Sequence, residues 1–95
     1  HYHSKQDEFI YVVEGELTVR IGGDTHDMTS GDCMGFEAGA GVGHQIINRS
    51  EHSASYLEIG DRSVGDRAVF PEDDLLTTQD KNGAWALTHK DGAPY

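Results

Sequence analysis

Turns come quickly along this chain. Gly15, Gly22-Gly23-Asp24, Ser30-Gly31-Asp32, Arg49-Ser50-Glu51 and Gly60 each interrupt a short stretch rich in apolar residues. That spacing leaves no window for an amphipathic helix and gives the rhythm of an all-β sandwich or barrel. The clearest strand runs from Asp7 to Glu14. Phe9, Tyr11 and Val13 share one face, Glu8, Ile10 and Val12 share the other, and β-branched and aromatic residues dominate it. Leu17, Val19 and Ile21 mark the next strand, with Thr18 and Arg20 on its opposite face. Further strands are expected over residues 25–28, 33–36, 44–48 and 53–59, with a glycine-rich loop over 37–43. Residues 61–82 are polar, with Pro71 ahead of Glu72-Asp73-Asp74, and read as a loop with one helical turn. A last strand is expected over 84–88, with Trp85 anchoring this extension.

At 95 residues the chain is expected to be one small domain, a core over 1–60 with an extension over 61–95 packed on it. Seventeen acidic residues against seven basic ones leave a formal charge of −10. Such a chain gains nothing from counterion release on a phosphate backbone, which argues against nucleic acid, and anionic membrane surfaces repel it. The longest apolar run, Phe9 to Val13, has five residues, far short of the ~18 a spanning helix needs. The single cysteine, Cys33, excludes an internal disulfide, fits a reducing, cytoplasmic setting and is expected to be a small buried side chain. The chain opens on His1 rather than Met, so an upstream segment is expected to be missing. The strand edges this would expose predict a homodimer.

His1-Tyr2-His3 carries the most chemical information. On a strand, residues i and i+2 point the same way, so the two imidazoles can converge. Glu8 follows at the start of the best-patterned strand. Simple parity sets it on the opposite face, and a turn at Ser4-Lys5-Gln6 can reset it. His44 opens a strand just after the glycine-rich loop. Three neutral imidazoles and one carboxylate make a mixed nitrogen and oxygen set suited to a divalent transition metal. Ile10, Val12 and Ile46 are expected to line the pocket and exclude water, Asn48 to order its wall, and Tyr56 with Glu58 to border it. His26, His52 and His89 read as solvated. The glycines over 39–43 lack dinucleotide-binding spacing, and Glu72-Asp73-Asp74 lacks that of a calcium loop.

The run His1-x-His3-x4-Glu8-x6-Gly15 resembles the first motif of the cupin family, and Gly31-x5-Glu37-x-Gly39 … His44-x3-Asn48 resembles the second. In the latter, Glu37 stands where cupins usually carry proline, and four residues rather than two separate Gly39 from His44. The resemblance implies a double-stranded β-helix, the cupin jelly-roll barrel, here N-terminally truncated and followed by a short irregular extension. It implies one divalent transition metal (Mn, Fe, Ni, Co, Cu or Zn) held by His1, His3, Glu8 and His44, with Glu8 also the candidate catalytic base. The expected function is a small metal-dependent enzyme, an oxygenase, isomerase or lyase acting on a small polar metabolite. The alternatives are a non-catalytic module binding a sugar or effector in the same pocket, and a barrel without metal.

Overall fold

Each of the expected apolar stretches becomes a strand. A computed structural model describes the whole chain, His1 to Tyr95, with ten strands and no helix. In chain order they are β1 (Tyr2–His3), β2 (Glu8–Glu14), β3 (Glu16–Ile21), β4 (Asp24–Thr29), β5 (Cys33–Phe36), β6 (His44–Ile47), β7 (Ser55–Gly60), β8 (Arg67–Phe70), β9 (Leu75–Gln79) and β10 (Trp85–Thr88). They form three antiparallel sheets, ordered β5-β2-β7, β4-β3-β6 and β1-β8-β9-β10.

Alternation along β2 decides how the first two sheets meet. Glu8, Ile10 and Val12 are buried, while Phe9, Tyr11 and Val13 are exposed. Ile10 and Val12 join Leu17 and Val19 of β3 and Met28 of β4 in the core, with Ile21, Met34, Phe36, Ile46 and Ala54 packed around them. Each such side chain taken from water contributes about 1.5–3 kcal/mol. Gly15 joins β2 to β3 at φ 88°, and a Cβ there would fall 2.9 Å from Ala54 and from the Ser53 carbonyl. Only glycine satisfies both constraints.

On the outer face of the β5-β2-β7 sheet, Phe9 lies opposite Ile59, and Tyr11 lies opposite Leu57 and Cys33. All five are exposed. Cys33 is therefore not the buried side chain that its composition suggests. Its pairing with Tyr11 places it in the outward set.

Residues 61–82 also depart from expectation. They hold two strands, β8 and β9, joined by a tight turn at Pro71-Glu72-Asp73-Asp74, and no helical turn forms. A proline-led acidic tetrapeptide suits a β-turn, and the bracketing pairs Val69-Phe70 and Leu75-Leu76 are too short to display a period. β10 pairs with β9, but Trp85 is 43% exposed and anchors little. β1 pairs with β8, Tyr2 opposite Val69 and His3 opposite Ala68. The first histidines thus travel with the C-terminal strands, while Glu8 and His44 belong to the other two sheets.

Candidate metal centre

Glu8 opens β2 with its side chain turned inward, His44 opens β6, and His1 and His3 lie at β1. Nε2 of His3 is 2.8 Å from Oε1 of Glu8, Nε2 of His1 is 3.5 Å away, and Nε2 of His44 is 3.7 Å away. The donor atoms of His1, His3 and Glu8 all fall within 4.8 Å of one another, a group able to hold a metal ion. His44 lies outside that tight cluster but approaches the same carboxylate oxygen. A stack on Phe36 fixes its ring, with centroids 3.8 Å apart and planes 10° apart. His1 meets His3 edge-on at 4.9 Å and leans on Phe70 at 5.2 Å.

A residue that sequence reasoning missed, Asp66, sets this geometry. Its side chain has no exposed surface. It accepts a hydrogen bond from Nδ1 of His3, and its Oδ1 accepts from the Lys5 amide at 2.8 Å, the Ser4 hydroxyl at 3.2 Å and the Gln6 amide at 3.3 Å. These bonds build the turn at Ser4-Lys5-Gln6 that brings Glu8 to the histidines. They also select the tautomer of His3, because a ring donating from Nδ1 to a carboxylate keeps Nε2 as an acceptor. Burial pushes the Asp66 carboxyl up, but the Lys5 amide and His3 outweigh it, and the net shift is downward. Gly65-Asp66 looks like any other turn on the chain, so no sequence signal marked it.

The donor set fits a cation. Nε2 of His3 and Oε1 of Glu8 are two acceptors 2.8 Å apart, and the buried Oε1 makes no hydrogen bond. Two lone pairs at that distance repel unless a positive centre lies between them. A proton on His3 could serve, but the geometry at Oε1 is not that of a hydrogen bond. Nitrogen and oxygen ligands in this mixture suit a divalent transition ion. The His1 imidazole, then that of His44, holds the Glu8 carboxyl well below the usual carboxylate range. Glu8 in turn raises the pKa of His1. Glu58 is shifted upward, first by the neighbouring Glu8 carboxyl and then by burial.

The site opens into a cavity of about 700 Å³ lined by His1, Glu8 and His44, and also by Ile46, Tyr56 and Glu58. Ile10 and Val12 do not line it. They are 1% and 0% exposed and sit in the core, because the alternation that turns Glu8 inward buries them too. Asn48 does not order its wall. Just past β6, its Oδ1 accepts from the Ser50 hydroxyl at 2.7 Å and amide at 3.0 Å, and its Nδ2 donates to the His52 carbonyl at 2.8 Å. That Asx turn uses up the side chain. His26 and His52 are exposed, and His89 pairs with Asp74 at 2.8 Å. The sequence also gave no role to Arg20, which lines the cavity.

Two solved structures resemble the chain over 99% of its length. One is a sugar phosphate isomerase of the cupin superfamily from Silicibacter pomeroyi, 40% identical with a TM-score of 0.90. The other, from Acidithiobacillus ferrooxidans, is provisionally described as a sugar phosphate isomerase and is 26% identical with a TM-score of 0.84. The chain spans 59% of the length of each. No curated protein matches it. Residues 1–60, which hold the histidines, Glu8 and both glycine-marked motifs, match the Cupin domain family, and the chain belongs to it.

Proposed function

We propose that this chain carries the active site of a metal-dependent isomerase acting on a small phosphorylated sugar. The observation that carries the reading is Oε1 of Glu8, buried and without a hydrogen bond, facing Nε2 of His1, His3 and His44 at the floor of an open cavity. The two structurally similar proteins, each described as a sugar phosphate isomerase, supply the substrate class.

Interconverting an aldose and a ketose moves a proton between neighbouring carbons beside a carbonyl. A divalent ion held by His1, His3, Glu8 and His44 would supply Lewis-acid polarisation of that carbonyl. His1, His3 and His44 would hold the ion, and Asp66, by accepting from Nδ1, leaves Nε2 of His3 free as an acceptor. Glu8 contributes negative charge and is the candidate base for the moving proton. Glu58, on the same wall, has its carboxyl shifted upward by Glu8 and by burial, so of the two carboxyls it is the one suited to hold a proton beside the substrate. A cavity of about 700 Å³ accommodates a sugar phosphate.

The test is turnover of pentose and hexose monophosphates by protein loaded separately with manganese, iron, nickel, cobalt, copper and zinc, followed by product chromatography. Interconversion of one pair, lost in His3→Ala together with the bound metal, is the expected result. Saturable sugar phosphate binding with no turnover under any metal overturns the isomerase reading and leaves a binding module.

A further inference from the structure

The cavity holds a cationic side chain that the metal centre does not use. Arg20 of β3 is its one lysine or arginine, and Nη2 of Arg20 lies 2.7 Å from Oε2 of Glu72 in the β8–β9 turn, also on the cavity wall. Arg20 is 36% exposed and Glu72 is 70% exposed. A pair this wet is weakly held, because water screens the attraction and ordering two long side chains opposes it. Glu72 is therefore readily displaced by a better anion.

The surroundings of Arg20 favour such an anion. The glycine-rich loop reaches the same cavity, and the amides of Gly41, Val42 and Gly43 donate to no acceptor within the chain. Gly43 packs against the turn that carries Glu72, so closely that a Cβ would lie 2.9 Å from the Pro71 ring. The arginine, the loop and the turn therefore meet at one rim of the cavity. The guanidinium fork matches a phosphate in a two-point contact, and a dianion binds it more strongly than one carboxylate does.

We infer that Arg20 receives the substrate's phosphate group and that Glu72 is a stand-in anion that yields to it. The inference rests on the sugar phosphate reading and gives it an orientation, with the carbonyl end toward Glu8 and the histidines and the phosphate toward Arg20. In a chain of net charge −10, a single arginine at the rim makes phosphate the feature that separates substrate from unphosphorylated sugar.

Titration calorimetry on manganese-loaded protein tests this with inorganic phosphate, pentose and hexose monophosphates, and the same sugars without phosphate. Arg20→Met is expected to weaken phosphate and sugar phosphate binding about 10- to 100-fold, the loss of a charge-assisted contact. Metal content and binding of the bare sugars should stay unchanged. Glu72→Gln is expected to tighten phosphate binding severalfold by removing the competitor, and it keeps the inference testable if Arg20→Met folds poorly. Equal phosphate affinity in wild type and Arg20→Met overturns the inference, as does weakened binding in Glu72→Gln, which would make the pair a structural strap. If wild type binds inorganic phosphate through Arg20 but no sugar phosphate, the anion site stands and the isomerase reading falls. If it binds neither, both fall.

Discussion

Nδ1 of His3 donates to the buried carboxylate of Asp66 while Nε2 of the same ring faces Oε1 of Glu8 across 2.8 Å. One imidazole thus transmits the position of a residue beyond the matched family region to the centre of the site. Asp66→Asn separates the two duties of this carboxylate. The amide oxygen can still accept from the Lys5 and Gln6 amides, so the turn survives and the melting temperature changes little. Its NH₂ group can donate to Nδ1, which moves the ring proton to Nε2 and blocks the metal lone pair. Metal affinity should fall about 10- to 100-fold, measured by competition with a chromogenic chelator. Asp66→Ala should lose both affinity and at least about 2 kcal/mol of stability, because buried donors are left without an acceptor.

Chelation provides a second check. An ion bound only to the native state stabilises it by about 2.7 kcal/mol at a hundred times its dissociation constant. Stripping it should lower the melting temperature, and adding it back should restore the loss. Protons compete for the same nitrogens, and Glu8 raises the pKa of metal-free His1 above 6.5. Affinity should therefore drop as pH falls through that region, by about tenfold per pH unit for each proton displaced. Occupancy independent of pH between five and eight would argue against imidazole ligation.

At the other end of the chain, Asp74 accepts from the Lys90 amide at 2.8 Å and pairs with His89, while its carbonyl accepts from the Tyr95 hydroxyl. The Lys90 amide and then His89 lower its pKa. A depressed carboxylate adds stability that is present above its unfolded value and lost as pH falls through the folded one. Asp74→Asn should thus loosen residues 89–95 at pH 7, read as faster hydrogen exchange, and the difference from wild type should vanish in acid below the ordinary aspartate range.

The outward side chains Phe9, Tyr11, Leu57 and Ile59 make an apolar sheet face with nothing packed on it. We expect a homodimer that covers this face, and light scattering should give twice the chain mass. Ile59→Glu should shift the mass toward a monomer without unfolding the chain. A monomer mass for the wild type would contradict the expectation.

How much of this was legible beforehand depended on the range of the forces involved. The strands from Glu8 to Gly60 were readable because each carries its own alternation and its own turn, and a cysteine among small residues misled only because parity, not composition, decides its face. The convergence of His1, His3, Glu8 and His44 was legible from motif spacing, whereas simple parity set Glu8 on the opposite face and only the turn at Ser4-Lys5-Gln6 returns it. Asp66 was not, since its partners lie some sixty positions earlier in the chain and only the pairing of β1 with β8 brings them together. Arg20 and Glu72 were hidden for the same reason: their meeting depends on how the C-terminal hairpin folds over the cavity. Ile10 and Val12 were placed on the correct face and assigned the wrong neighbour, because one inward face serves both core and pocket and only depth separates them.

The candidate ligands come from strands in three separate sheets: His3 from β1-β8-β9-β10, Glu8 from β5-β2-β7 and His44 from β4-β3-β6. An ion seated among them would act as a rivet through the sheets, so that parting any two of them would first have to break a coordination bond. With such an ion bound, the lifetime of the folded chain would be governed by how fast the ion leaves, and a slowly exchanging metal would make this small acidic fold far more durable than its few core residues suggest.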